Sequence, residues 1–155
     1  MDYKIAFLIG SESDRKIAES SFPYFNYFNL KVELLVMSAH RNPSDVAEFA
    51  SKARSNGYSL LICGAGMAAH LGGAVKANTT LPVIGVPLPG GMMDGLDSLL
   101  STVQMPKGVP VATMSVGKSG AINAAIFCAE VLSLNNDELS AKLDEFKRNG
   151  ATISD

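Results

Sequence analysis

Only two side chains in the sequence, His40 and His70, ordinarily change charge close to neutral pH. His40 stands in Ser38-Ala39-His40-Arg41, between a β-branched run and Pro43. An imidazole there can pass a proton in either direction, and the guanidinium of Arg41 offers a planar fork to a phosphate or carboxylate. A lone loop histidine is more often structural. His40 differs in standing where a strand should end, with the Ser38 hydroxyl and the Arg41 cation on either side. It is the candidate proton donor and acceptor, and Ser38 and Arg41 are candidate ligands of the substrate.

Similar stretches follow the other apolar runs. Gly10-Ser11-Glu12-Ser13-Asp14 combines a glycine for a tight turn with hydroxyls and free N–H groups near a helix start, which suits an anion. Asp14 could accept bonds from ribose hydroxyls; the plainer reading is a capping cluster. Gly64-Ala65-Gly66-Met67-Ala68-Ala69-His70 lets backbone approach a ligand closely, with His70 expected a turn into the next helix, capping, packing or touching ligand. Gly117-Lys118-Ser119 resembles the end of a P-loop, but Ala112 stands where that loop needs glycine, so a helix start or interface loop is expected. Neither Ser38 nor Ser119 lies in a G-x-S-x-G nucleophile elbow.

Five short apolar runs, at 4–9, 31–37, 59–63, 82–86 and 111–116, have the composition of buried strands. Helical segments are expected at 14–28 (interrupted by Pro23), 43–56, 68–78, 119–132 and 137–149. This alternation predicts βαβ units, a five-stranded parallel sheet and a flavodoxin-like three-layer α/β sandwich with an added C-terminal helix. The whole of 1–155 reads as one domain. The polar, glycine-rich stretches all follow strands, and ligands of open α/β sheets bind at that edge, so a small-molecule site is expected there.

A net charge of −2 offers no basic field to hold nucleic acid, so any bound phosphate must sit in a local pocket. No apolar run is long enough for a membrane helix, and the run at 3–10 reads as a first strand rather than a secretory signal. Cys63 and Cys128 lie in apolar surroundings, as core thiols do in a reducing compartment; with two Cys and two His at no ligand spacing, no metal site is expected. The expected location is the cytoplasm. The apolar 119–132 segment and the Leu139, Leu143 and Phe146 stripe exceed what one five-stranded sheet needs, which points to a homo-oligomer.

The stretches GSESD, SAHRNP, AGMAAHLGG, PVIGVPL and GLDSLLSTVQMPKGVPVATMSVGKSGAINAA resemble the N5-carboxyaminoimidazole ribonucleotide mutases of purine biosynthesis, in the same order and spacing, from about residue 3 to 132. The resemblance implies isomerisation of N5-carboxyaminoimidazole ribonucleotide to its 4-carboxy isomer, in IMP biosynthesis, without metal, ATP or organic cofactor. It implies His40 as general acid and base, Ser11 and Asp14 as substrate ligands with Ser13 beside them, and Arg41 at the phosphate. It places Gly66, Met67, Ala68 and His70 around the imidazole and its carboxyl group, and implies a homo-octamer whose C-terminal helix reaches a neighbour. Met67 stands where the family usually has Gly, and Gly72 where it usually has Pro.

Two rival readings follow. A divergent branch carboxylates aminoimidazole ribonucleotide directly with CO2; there Lys follows the histidine and the third loop reads more like GRSN, unlike Arg41 and MAAH here. The other rival is a non-catalytic flavodoxin-like module for FMN or a phosphosugar. Aromatic content of 7% without tryptophan supplies no evident stacking pair for a flavin.

Overall fold

In the computed structural model, which describes residues 3–153, the hydrophobic runs form one parallel sheet. Its strands are β1 (Lys4–Ile9), β2 (Lys31–Val36), β3 (Tyr58–Ala65), β4 (Val83–Pro87) and β5 (Ala112–Thr113), in the order β2-β1-β3-β4-β5. That is the flavodoxin-like order, and its winding reverses between β1 and β3, where such sheets bind ligands.

The pleat of β1 divides the core. Ile5, Phe7 and Ile9 point to one face, where α1 (Arg15–Glu19), α2 (Phe22–Tyr27) and α6 (Lys118–Ser133) cover them. Ala6 and Leu8 point to the other, covered by α3 (Pro43–Lys52) and α4 (Leu71–Lys76). The last helix, α7 (Asp137–Arg148), lies outside α6, and its Leu139, Leu143 and Phe146 are buried as one face. The Phe146 ring packs edge-on, 5.4 Å from Phe28 and 6.3 Å from Tyr24. Burying such a ring contributes on the order of 2–3 kcal/mol. The stripe is therefore filled by its own chain, contrary to the expectation that it was surplus apolar surface. Cys63 and Cys128 are core residues, and burial pushes both thiols well above their ordinary pKa.

The structure departs from the sequence reading in several elements. The 14–28 segment is a short 3-10 turn (Glu12–Asp14) and two helices, with Pro23 in the first turn of α2, where its missing N–H costs nothing. The expected 68–78 helix begins only at Leu71, and the 43–56 helix ends at Lys52. β5 is two residues long, although Met114 and Gly117 still donate to Gly85 and Pro87 of β4 along the irregular path beyond it. A helix that was not anticipated, α5 (Leu96–Val103), follows β4. Its pattern is inverted: Ser98 and Thr102 are buried, and their hydroxyls donate to Leu88 and Ser98 carbonyls, while Leu96, Leu100 and Val103 face outward. Hydroxyls return helical carbonyls their bonds and tolerate burial, so hydrophobic periodicity alone misses such a helix.

Two glycines fix how closely these layers meet. A Cβ on Gly85 would lie 2.4 Å from Thr102 Cγ2, so α5 rests directly on the β4 backbone. At Gly120 a Cβ would fall 1.7 Å from the Ser115 carbonyl oxygen, a rigid neighbour. Gly120→Ala should therefore lower unfolding stability by about 1–3 kcal/mol or more. Equilibrium urea unfolding measures it; a loss within the roughly 0.5 kcal/mol of a neutral surface change would contradict this packing.

Candidate active site

The carboxyl ends of β1 and its two neighbours, β2 and β3, finish nearly level. Ile9 of β1 pairs with Val36 on one side and Gly64 on the other. Gly10 N–H then donates to the Gly64 carbonyl at 3.3 Å, and Met37 N–H to the Ile9 carbonyl at 2.9 Å. The loops after β1, β2 and β3 thus leave the sheet side by side.

The first loop is held by its own hydroxyls. Ser11 has extended φ and ψ and caps the 3-10 turn, its Oγ accepting from Ser13 N–H. Ser13 Oγ donates to Ser11 Oγ at 2.9 Å and lies 3.4 Å from the Asp14 carboxylate. Burial pushes the Asp14 carboxyl above its ordinary pKa, partly offset by the Ser13 hydroxyl and the Ser11 backbone. The cluster caps, as its plainer reading held, and still presents hydroxyls and a half-buried carboxyl at the strand edge.

The second loop closes on Ser38. Its Oγ accepts from Arg41 N–H at 3.2 Å, and its carbonyl accepts from Asn42 N–H at 2.7 Å. That turn sends the Arg41 side chain back across β1, where Nη2 donates to the Gly10 carbonyl at 3.1 Å. Arg41 remains exposed otherwise, a cation poised over the first loop.

The third loop brings in His70. Nε2 of His40 lies 2.6 Å from Nδ1 of His70, with the rings nearly perpendicular. His70 sits at the N-cap of α4 and is exposed, not a turn inside the helix as the sequence suggested. The cause is Met67, whose φ of 54° lies in the left-handed region and turns the chain before the helix can start. Glycine enters that region freely, which gives the glycine usual at this position a physical reason. Met67 and Ala68 are exposed beside the pair, and Gly66 runs next to the Leu88 and Pro89 carbonyls.

A hydrogen bond between two imidazoles requires one nitrogen to donate and the other to accept. The contact therefore couples the two rings, each setting the tautomer of the other.

Ser11, Ser13, Asp14, Ser38, His40, Arg41 and His70 thus belong to one loop cluster, with Gly66, Met67 and Ala68 along its margin. The Lys118–Ser119 stretch opens α6 as an exposed helix start. Other concavities, one lined by Tyr3, Leu30 and Leu139 and one by Arg54 and Thr80, hold none of the candidate residues. Among the described residues no three His, Cys, Asp or Glu side chains converge as a metal would require, and no helix is long and apolar enough to cross a membrane. Sequence reasoning missed α5, whose Ser101 Oγ accepts from Ala69 N–H at 3.0 Å, directly before His70.

Comparison with known proteins matches the geometry to a family. Residues 4–152 match the family model described as AIR carboxylase. The chain is 47% identical over 145 residues to the N5-carboxyaminoimidazole ribonucleotide mutase of Bacillus subtilis, covering 94% of this chain and 90% of that one. It is 41% identical to the mutase of the same name from Escherichia coli K12, covering 94% and 86%. The crystal structure of Treponema denticola PurE superposes with a TM-score of 0.86 at 25% identity, covering 96% of this chain and 91% of that one. With nearly the whole described sheet and its loops inside these matches, the chain belongs to the AIR carboxylase family.

Proposed function

We propose that this protein is an isomerase that converts N5-carboxyaminoimidazole ribonucleotide to 4-carboxy-5-aminoimidazole ribonucleotide in purine biosynthesis. The observation that carries the reading is the His40–His70 contact at 2.6 Å beside an arginine anchored over the first loop. The reaction needs one proton delivered and one removed, and a positioned imidazole can do both.

The steps balance within the site. Imidazolium at His40 protonates the carbamate nitrogen, the nitrogen–carboxyl bond breaks, and CO2 and the amino group are released. The ring carbon, made nucleophilic by that amine, forms a bond to the CO2. Neutral His40 then takes the ring proton, aromaticity returns, and the imidazolium is regenerated. His70 fixes the orientation and tautomer of His40 through the nitrogen facing it. Binding the phosphate by Arg41, and the ribose by Ser11, Ser13 and Asp14, keeps CO2 against the carbon; such positioning can supply roughly 7–11 kcal/mol in well-oriented reactions. Ser38 shapes the second loop, and Gly66, Met67 and Ala68 border the carboxyl end of the substrate.

Direct carboxylation of aminoimidazole ribonucleotide uses the same ring chemistry but must collect CO2 from solution. Arg41 after His40, MAAH in the third loop, and relatives named as mutases support the isomerase over that rival. The proposed setting is the cytoplasm and the proposed assembly a homo-octamer. The outward Leu96, Leu100, Val103 and Met93 around α5, the last 82% exposed, supply apolar surface for it in place of the filled α7 stripe.

No step above needs a Lewis acid, an electron carrier or ATP. Turnover of the purified protein on N5-carboxyaminoimidazole ribonucleotide should therefore be unchanged by EDTA with ATP absent. Loss of turnover in EDTA and its return with zinc or magnesium would overturn the mechanism.

A further inference from the structure

We infer that Ser101 is a positioning residue for the histidine pair, clamping the third loop so that His70 meets His40; this rests on the isomerase reading for its kinetic consequence only. Ser101 lies on α5, and its Oγ donates to the Asp97 carbonyl at 2.7 Å. That back-bond is common in helices and fixes the hydroxyl rotamer. The uncommon half is the bond it accepts, 3.0 Å from the N–H of Ala69, in a loop that follows a different strand. Ala69 is 3% exposed, so its amide has no ready substitute in water. A weaker approach, 3.3 Å, joins the same Oγ to the Met67 carbonyl.

The two backbone groups that Ser101 reaches bracket the bend. Met67 holds a left-handed φ that a β-carbon disfavours, and such a residue persists only when its surroundings enforce it. The residue after Ala69 is His70, at the start of a helix of six residues. Released from Ser101, the loop can relax Met67 toward ordinary φ and carry the His70 ring away from His40.

The sequence has just two histidines, so imidazole 15N spectra report the pair without overlap. In substrate-free wild type, one ring nitrogen from each should show the shifts of a shared hydrogen bond. In Ser101→Ala that signature should vanish, and kcat should fall about 10- to 100-fold, the scale of an ångström-level misplacement, with KM much less affected. Ser101→Thr, which keeps the hydroxyl, should restore both. Adding Met67→Gly to Ser101→Ala should restore part, because glycine holds the bend without strain. Should Ser101→Ala fail to fold, Ser101→Cys, a much weaker acceptor of similar size, should show the same loss. Retention of the wild-type signature and kcat in the alanine variant, or in the cysteine variant used in its place, would overturn the inference. Loss of the signature in a protein whose wild type never turns over the ribonucleotide would instead refute the isomerase reading and leave the clamp standing.

Discussion

His40→Asn protein is expected to fold, to bind substrate, and to turn it over at least about 10²- to 10⁴-fold more slowly than wild type. The fold should survive because His40 is exposed and the second loop is held by Ser38 and Asn42, not by the imidazole. Asn can still offer a hydrogen bond toward His70, so the third loop should keep its place. What it cannot do is carry a proton from ring carbon to carbamate nitrogen. Both transfers depend on one group, so the loss should sit at or beyond the upper part of that range. Release to solvent of the substrate's C4 ring proton, the one that the new carboxyl group replaces, should slow in parallel. A variant retaining more than about a tenth of wild-type turnover would remove His40 from the mechanism.

Arg41→Ala is expected to raise KM about tenfold to a hundredfold, the usual scale for a lost hydrogen bond to a charged group, with a smaller change in kcat. In the structure its guanidinium reaches across β1 to the Gly10 carbonyl, which places the charge beside Ser11 and Ser13. A phosphate at that loop would find both the cation and the hydroxyls. Arg41→Lys should recover only part of the affinity, since ammonium cannot bridge the carbonyl and two phosphate oxygens with one planar group. An unchanged KM in the alanine variant would move the phosphate away from the first loop.

Much of this was legible from local patterns. β1, β3 and β4 are buried on both faces and read as unbroken apolar runs, and β2 reads as a run of Val and Leu broken by Glu33, so the loops that follow all four, His40's included, could be located from the sequence. The meeting of His40 with His70 was not legible. It depends on the strand order that sets β2 and β3 on either side of β1, and on the left-handed turn at Met67 that holds His70 outside α4. Neither is written in local periodicity. The α5 helix was hidden by its buried hydroxyls and outward leucines, and Ser101 with it. The α7 stripe was visible as a stripe, but which surface it covers followed only from the aromatic cluster of Tyr24, Phe28 and Phe146.

During turnover one bound molecule should lose and regain its own carboxyl group. N5-carboxyaminoimidazole ribonucleotide carrying 13C in the carbamate should be given to the purified protein in excess unlabelled bicarbonate, with carbonic anhydrase present to equilibrate free CO2. Product that keeps most of the 13C in its 4-carboxyl group, with no product formed from aminoimidazole ribonucleotide under the same bicarbonate, is the expected result. Unlabelled product in both reactions would contradict it and establish carboxylation from solution.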